Sequence, residues 1–329
     1  MWVATIDAGT TDTRVHIWHE GKMIEEASAK VGVRNTAIDG NNQKLVEAIR
    51  DTLGMAVVKS GRKVSDIKLV LASGMLTSDV GLVEIPHVEA PADCVKLAAA
   101  MESKVIPAIC PQPIWFVPGI KNLDGTLLPQ ERMEEMDIMR GEEVEVCGLM
   151  ERMEINGPAV LVLTSSHNKF VLIDGVGQIL GCMTTIAGEL LHALTHHTIL
   201  ADTVGRRSVT KFNRDAFLLG VKYSRQLGIG RASFMTRILS QFSGYTEEEA
   251  QNYMLGIILA DDLASLNNSQ LFMAYNDAKV IVAGNEIMQQ GFATLFEEEG
   301  RIVSIVPCGV KDGLSGYGAI AVAKKRGLL

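Results

Sequence analysis

The sequence predicts a duplicated α/β protein, two mixed-sheet units that meet across a cleft, and three observations predict it. Two segments of the chain each open with three short strands and continue through alternating helices and strands. Both meanders carry a polar turn after their first strand, Gly9 to Asp12 and Ser165 to Asn168. The length, 329 residues with 47% hydrophobic and 21% charged, suffices for two cores.

In the first half the strands read as Val3 to Asp7, Arg14 to Trp18 and Lys22 to Ser28, with turns at Gly9 to Asp12 and Glu20-Gly21. Leu45, Ala48, Ile49, Leu53, Ala56 and Val57 recur at helical spacing and predict an amphipathic helix over Asn41 to Lys59. Buried strands follow at Ile67 to Ala72 and Ile114 to Val117. The second half repeats the pattern. Strands are predicted at Ala159 to Thr164, Lys169 to Ile173 and Gly177 to Met183, then helices at Gly188 to Leu200, Arg214 to Leu227 and Glu247 to Asn267. A strand at Lys279 to Ala283, a helix from Glu286, a strand at Ile302 to Val306 and a helix from Leu314 complete it. This order resembles the actin-like ATPase (ribonuclease H-like) fold. That resemblance implies a five-stranded mixed sheet flanked by helices in each domain, with an ATP cleft between them. The expected division is residues 1–138, the sugar-acid and phosphate side, and 139–329, the interdomain helix and nucleotide side.

Composition excludes several classes. With 31 Lys and Arg against 39 Asp and Glu, a formal charge of −8, the chain offers no broad basic surface for nucleic acid. The N-terminus lacks a signal-peptide pattern and no apolar run is long enough to span a membrane, so a cytoplasmic protein is expected. Five scattered cysteines without C-x-x-C spacing read as reduced thiols. His192, His196 and His197 lack a third ligand and the H-E-x-x-H glutamate, and read as surface or packing residues. No G-x-x-x-x-G-K-[ST] loop is present, which excludes a P-loop kinase.

The turns carry the chemistry. Asp7-Ala8-Gly9-Thr10-Thr11 sets a carboxylate at a strand end, followed by a glycine and two hydroxyls. Such a turn can aim N–H and O–H donors at phosphate oxygens while Asp7 holds a hydrated Mg²⁺. An ordinary polar hairpin is the competing reading.

Further motifs resemble the 2-dehydro-3-deoxygalactonokinase family in order and spacing. They are Ala72-Ser73-Gly74-Met75-Leu76-Thr77-Ser78, Trp115-Phe116-Val117-Pro118-Gly119, Met139-Arg140-Gly141-Glu142-Glu143, Ser165-Ser166-His167-Asn168-Lys169-Phe170, Ala187-Gly188-Glu189-Leu190-Leu191-His192 and Val282-Ala283-Gly284. The resemblance spans nearly the whole chain. It implies transfer of phosphate from ATP, with Mg²⁺, to the terminal hydroxyl of 2-dehydro-3-deoxy-D-galactonate in galactonate catabolism. A related 2-keto-3-deoxy sugar acid, or a non-catalytic ATP-binding regulator of the same fold, is the alternative. The chain departs from the family at Ala8, where Trp is usual, and at Ser165-Ser166, where Gly-Thr is usual.

The resemblance also implies roles. Glu142, with Glu143 as the alternative, would be the catalytic base, and Arg140 would meet the substrate carboxylate or steady the base. Adjacent glutamates on a helix point in different directions, so only one can enter the cleft. Asp7, Gly9, Thr10 and Thr11 would bind Mg²⁺ and the outer phosphates. Ser165, Ser166 and Lys169 would meet the phosphates from the other side, and Gly284 and Asn285 the adenosine. Arg34, Asn35, Ser78 and His167 are the remaining substrate candidates. The expected partners are the sugar acid and ATP, with no nucleic acid and no membrane, and a homodimer is left open.

Overall fold

The computed structural model describes residues 1–125 and 128–329. The chain opens with β1 (Trp2–Ala8), β2 (Thr13–His19) and β3 (Lys22–Ala29), followed by α1 (Val33–Asp39) and α2 (Gln43–Lys59). Next come β4 (Leu69–Gly74), β5 (Val88–Glu89), α3 (Cys94–Ala99), β6 (Glu102–Val105), β7 (Pro113–Phe116), β8 (Ile120–Lys121) and β9 (Ile138–Met139). Helix α4 (Glu142–Arg152) leads into the second meander, β10 (Ala159–Leu163), β11 (Asn168–Ile173) and β12 (Ile179–Thr185). The rest is α5 (Ala187–His197), α6 (Arg214–Ser243), α7 (Glu247–Asn268), α8 (Gln270–Met273), β13 (Lys279–Ala283), α9 (Glu286–Glu298), β14 (Val303–Ile305), α10 (Cys308–Lys311) and α11 (Leu314–Lys325).

The duplication appears in the sheet order. Among the described residues the first sheet runs β3-β2-β1-β4-β7-β6 and the second β12-β11-β10-β13-β14. In both, the meander is antiparallel and its first strand pairs in parallel with the next core strand, β1 with β4 and β10 with β13. Two turns are thereby placed at the carboxyl ends of equivalent central strands, where open α/β sheets bind ligands.

The first sheet has six strands where five were expected. The sixth, β6, pairs antiparallel with β7 at the edge, and all four of its residues are exposed, so no buried alternation marks it in the sequence. A separate small sheet, β5-β8-β9, bridges the halves. Helix α6 also runs past its expected end at Leu227. Gly228 (φ 74°, ψ 159°) bends the chain there, but a second helical segment continues to Ser243.

Amphipathic patterning explains the layers. Helix α2 buries Leu45, Ile49, Leu53, Ala56 and Val57 against one face of the first sheet. The other face is covered by α4 and α11. The buried Trp18 of β2 donates its Nε1–H to Thr5 Oγ1 at 2.9 Å and meets Tyr317 of α11 edge-on at 4.6 Å. Residues 138 and 139 form β9, and α11, the last helix in the chain, covers the first sheet. The second sheet packs on α7 and α9, with Phe170 against Phe292 at 5.8 Å. No helix among the described residues is long and apolar enough to cross a membrane.

Candidate active site

A cavity of about 550 Å³ opens where both meander turns face α4 and the start of α11. Asp7 and Gly9 line it from the first turn, Thr164, Ser165 and Gly284 from the second sheet, and Arg140, Gly141 and Glu142 from the entry to α4.

Asp7 sits half-buried at the end of β1. Its carboxyl is pushed up to about 6 by burial, with Arg14 opposing the shift and Glu142 adding to it. The turn after it is held by its backbone: Gly9 N–H donates to Asp12 O at 2.9 Å, while the Gly9 and Thr10 carbonyls accept from Val33 and Arg34 N–H. Thr10 and Thr11 are exposed in this turn without lining the cavity, and Thr11 donates to Asp12 Oδ2 at 2.6 Å.

The paired glutamates diverge. Glu142 enters the cavity, whereas Glu143 turns into the core and both its carboxyl oxygens accept from Gly141 N–H, at 2.9 and 2.8 Å. Burial, with Glu142 beside it, holds the Glu143 carboxyl well above its ordinary range. That environment suits a structural tie at the start of α4 and leaves Glu142 as the accessible carboxylate of the pair. Arg140 is fixed in the wall by Thr77 Oγ1 (2.6 Å), Ile85 O (2.8 Å) and His87 Nδ1 (3.4 Å). Burial and the charges of Arg140 and Lys121 push His87 down to about 4, so its neutral ring accepts from the guanidinium.

The second turn brings only part of its expected set. Ser165 lines the cavity and donates through Oγ to His167 O at 2.7 Å, and Ser166 is exposed beside it. Neither serine has positive φ, so the turn forms without the glycine the family usually has there. Gly284 does need its lack of a side chain: φ is 136° and a Cβ would overlap Thr164 Oγ1. Asn285 caps α9, accepting from Met288 N–H at 2.9 Å.

Several expected residues are occupied elsewhere. Lys169 is 5% exposed, and its ammonium donates to Ile138 O at 2.8 Å and to Thr184 Oγ1, tying β11 to β9 and β12. It does not line the cavity. Lys169 shares its side of β11 with the buried Val171 and Ile173, where Ile138 and Thr184 take up its ammonium. Ser78 is buried and donates to Met75 O within its own turn. His167 faces Glu189 of α5 at 3.2 Å. Arg34 is exposed on α1, and Asn35 Oδ1 accepts from Gly32 N–H at 3.3 Å. None of these lines the cavity.

Charged residues that the motifs did not indicate line it as well, Arg14 and Glu145 among them. The signals were available. Arg14 is the cross-strand partner of Asp7 in the hairpin, and Glu145 lies three residues after Glu142 on the same helix face. Glu145 is pushed from an ordinary 4.5 up to about 8 by burial, then by Glu142 and Asp7, with Arg14 and Lys311 opposing. The folded protein thus holds this proton more tightly than the unfolded chain. The stability it contributes is complete below pH 4.5 and is lost as the pH rises toward 8. Urea titrations from pH 5 to 9 should show the wild type losing about 2–4 kcal/mol more than Glu145→Gln, an amount already reduced for partial exposure. Parallel curves for the two proteins would refute this.

Among the described residues no three carboxylate, imidazole or thiol side chains converge to cage a metal. Asp7, a hard oxygen donor beside two turns suited to phosphate, fits a Mg²⁺ that keeps most of its ligands from water and phosphate.

No curated protein matches the sequence significantly. Among solved structures, one from Sinorhizobium meliloti, provisionally assigned as a 2-dehydro-3-deoxygalactonokinase, superposes with a TM-score of 0.75 at 20% identity, covering 98% of this chain and 96% of that one. The activator of 2-hydroxyisocaproyl-CoA dehydratase from Clostridium difficile, with bound ADPNP, gives 0.51 at 11% identity, covering 100% and 97%. These likenesses establish the actin-like ATPase and sugar-kinase fold. A family model described as 2-keto-3-deoxy-galactonokinase matches residues 7–314, almost the entire sequence, and the chain belongs to that family.

Proposed function

We propose that this chain is a cytoplasmic ATP-dependent kinase that phosphorylates 2-dehydro-3-deoxy-D-galactonate on its terminal hydroxyl, giving the 6-phosphate and ADP in galactonate breakdown. The observation that carries the reading is Glu142, an accessible carboxylate at the start of α4, facing a cavity flanked by two hydroxyl-bearing turns and by a fixed guanidinium.

Phosphoryl transfer asks for alignment and charge neutralisation more than for covalent chemistry. ATP would lie with its phosphates between the Gly9 and Ser165 turns and its adenosine against Gly284, where the bare backbone admits a flat ring. Asp7 would hold Mg²⁺, which supplies charge neutralisation at the phosphates. Glu142 orients the terminal hydroxyl of the sugar acid and takes its proton as the hydroxyl oxygen bonds to the γ-phosphorus and ADP leaves. Arg140, already fixed by Thr77 and Ile85, retains donor capacity for the substrate carboxylate without having to be ordered first.

A coupled ADP-release assay across a panel of 2-keto-3-deoxy sugar acids, with mass spectrometry of the products, tests the reading. Galactonate-derived acid is expected to give the highest kcat/KM. A preference for another acid would revise the substrate, and ADP release without any acceptor would replace the kinase with a hydrolase. The well-formed Ser165-Ser166 turn gives no support to a regulator that lacks turnover.

A further inference from the structure

Behind the Ser165 turn lie two buried polar side chains that do not line the cleft. Asn168 opens β11 with 0% exposure, and Asp262 reaches it from α7 with 3% exposure. Asn168 Nδ2 donates to Asp262 Oδ2 at 2.7 Å, and Asn168 Oδ1 accepts from Ser165 N–H at 3.2 Å.

Neither group is explained by packing alone. Leu259, Ala260, Leu263 and Leu266 surround Asp262 on its helix and are buried in the core, so an apolar residue would fill the position without the desolvation penalty of a carboxylate. Burial pushes the Asp262 carboxyl up to about 6 and the Asn168 hydrogen bond draws it down, so at neutral pH it remains ionised and can only accept. This settles the direction of the amide. The Ser165 N–H can only donate and the carboxylate accepts, so the amide turns its oxygen to Ser165 and its NH₂ to Asp262. Its oxygen is then committed to Ser165.

We infer that Asp262 and Asn168 form a positioning pair, Asp262 orienting the Asn168 amide so that its oxygen holds the Ser165 backbone and fixes the second turn for the phosphates of the nucleotide. The pair rests on the reading that this turn meets the phosphates of ATP. It adds a relay from the α7 side of the sheet to the cleft, through Asp262, a residue outside every motif read in the sequence.

A charge swap separates the pair from a general contribution to folding. N168D sets two carboxylates against each other and is expected to weaken ATP binding by calorimetry, and to raise KM for ATP, about tenfold, while KM for the sugar acid stays within about twofold. D262A removes the acceptor without adding charge and should raise KM for ATP by a similar factor. N168D/D262N reverses donor and acceptor, keeps an oxygen toward Ser165, and should return ATP affinity to within about threefold of wild type. Melting temperatures are recorded for all three. The inference is overturned if N168D and D262A bind ATP as the wild type does. It is also overturned if both Michaelis constants rise together, or if the swap restores the melting temperature but not ATP affinity. A wild-type protein that binds no ATP would instead refute the nucleotide reading itself, and the pair with it.

Discussion

Glu142→Gln is expected to lower kcat by about 10²–10⁴ while KM for ATP and for the sugar acid moves by less than about threefold. Amide and carboxylate are nearly isosteric, so the cavity keeps its shape and loses only a proton acceptor. The structure also supplies a contrast. Glu142 makes no hydrogen bond to the scaffold among the described residues, whereas Glu143 is fastened to Gly141 N–H by both oxygens. Substituting Glu142 should therefore spare the melting temperature, or raise it slightly by relieving repulsion with Asp7 and Glu145. Glu143→Ala should instead destabilise the protein, since it leaves the Gly141 N–H without its buried partner. Steady-state kinetics and thermal melts on both variants check the assignment. A Glu142→Gln enzyme within tenfold of wild type, with Glu143→Gln inactive and folded, would transfer the base to Glu143.

What could be read from sequence follows from where the signals are physically strong. The duplicated meanders were legible because strand alternation and turn residues are local, and the paired sheets reproduce them strand for strand. β6 escaped because an edge strand with four exposed residues carries no burial pattern. The cavity lining was legible where a residue's neighbours are close in sequence, as at Asp7, Gly9, Arg140 and Glu142. Lys169 was misplaced because a lysine beside a phosphate-type turn looks cationic and exposed. Only the pairing of β11 with β12, and the approach of β9, shows its ammonium enclosed by Thr184 and Ile138. The Asp262–Asn168 contact spans 94 positions, a separation at which nothing in an unaligned sequence links the partners.

Gly318→Val is expected to cost at least about 3 kcal/mol of stability and, in whatever folds, to lower kcat on the order of 10²-fold. Helices α4 and α11 cross backbone to backbone. A Cβ at Gly318 would overlap Val144 O and approach Gly148 N to 2.9 Å, and one at Gly148 would overlap the carbonyl of Leu314. No side chain stands between them to yield, so any substituent must push the helices apart. The consequence reaches the cleft because the same two helices begin there: α4 starts at Glu142 and α11 follows Gly313, whose neighbours Leu314 and Ser315 line the cavity. Separating them displaces the carboxylate from the opposite wall, and in-line transfer tolerates little misalignment. Gly318→Ala should show both effects in milder form and in proportion, which urea titration and kcat measured below the melting range would register. Should Gly318→Ala melt and turn over like the wild type, the close crossing would have no bearing on the position of Glu142, and the geometry of α4 would have to be set by the Glu143–Gly141 tie alone.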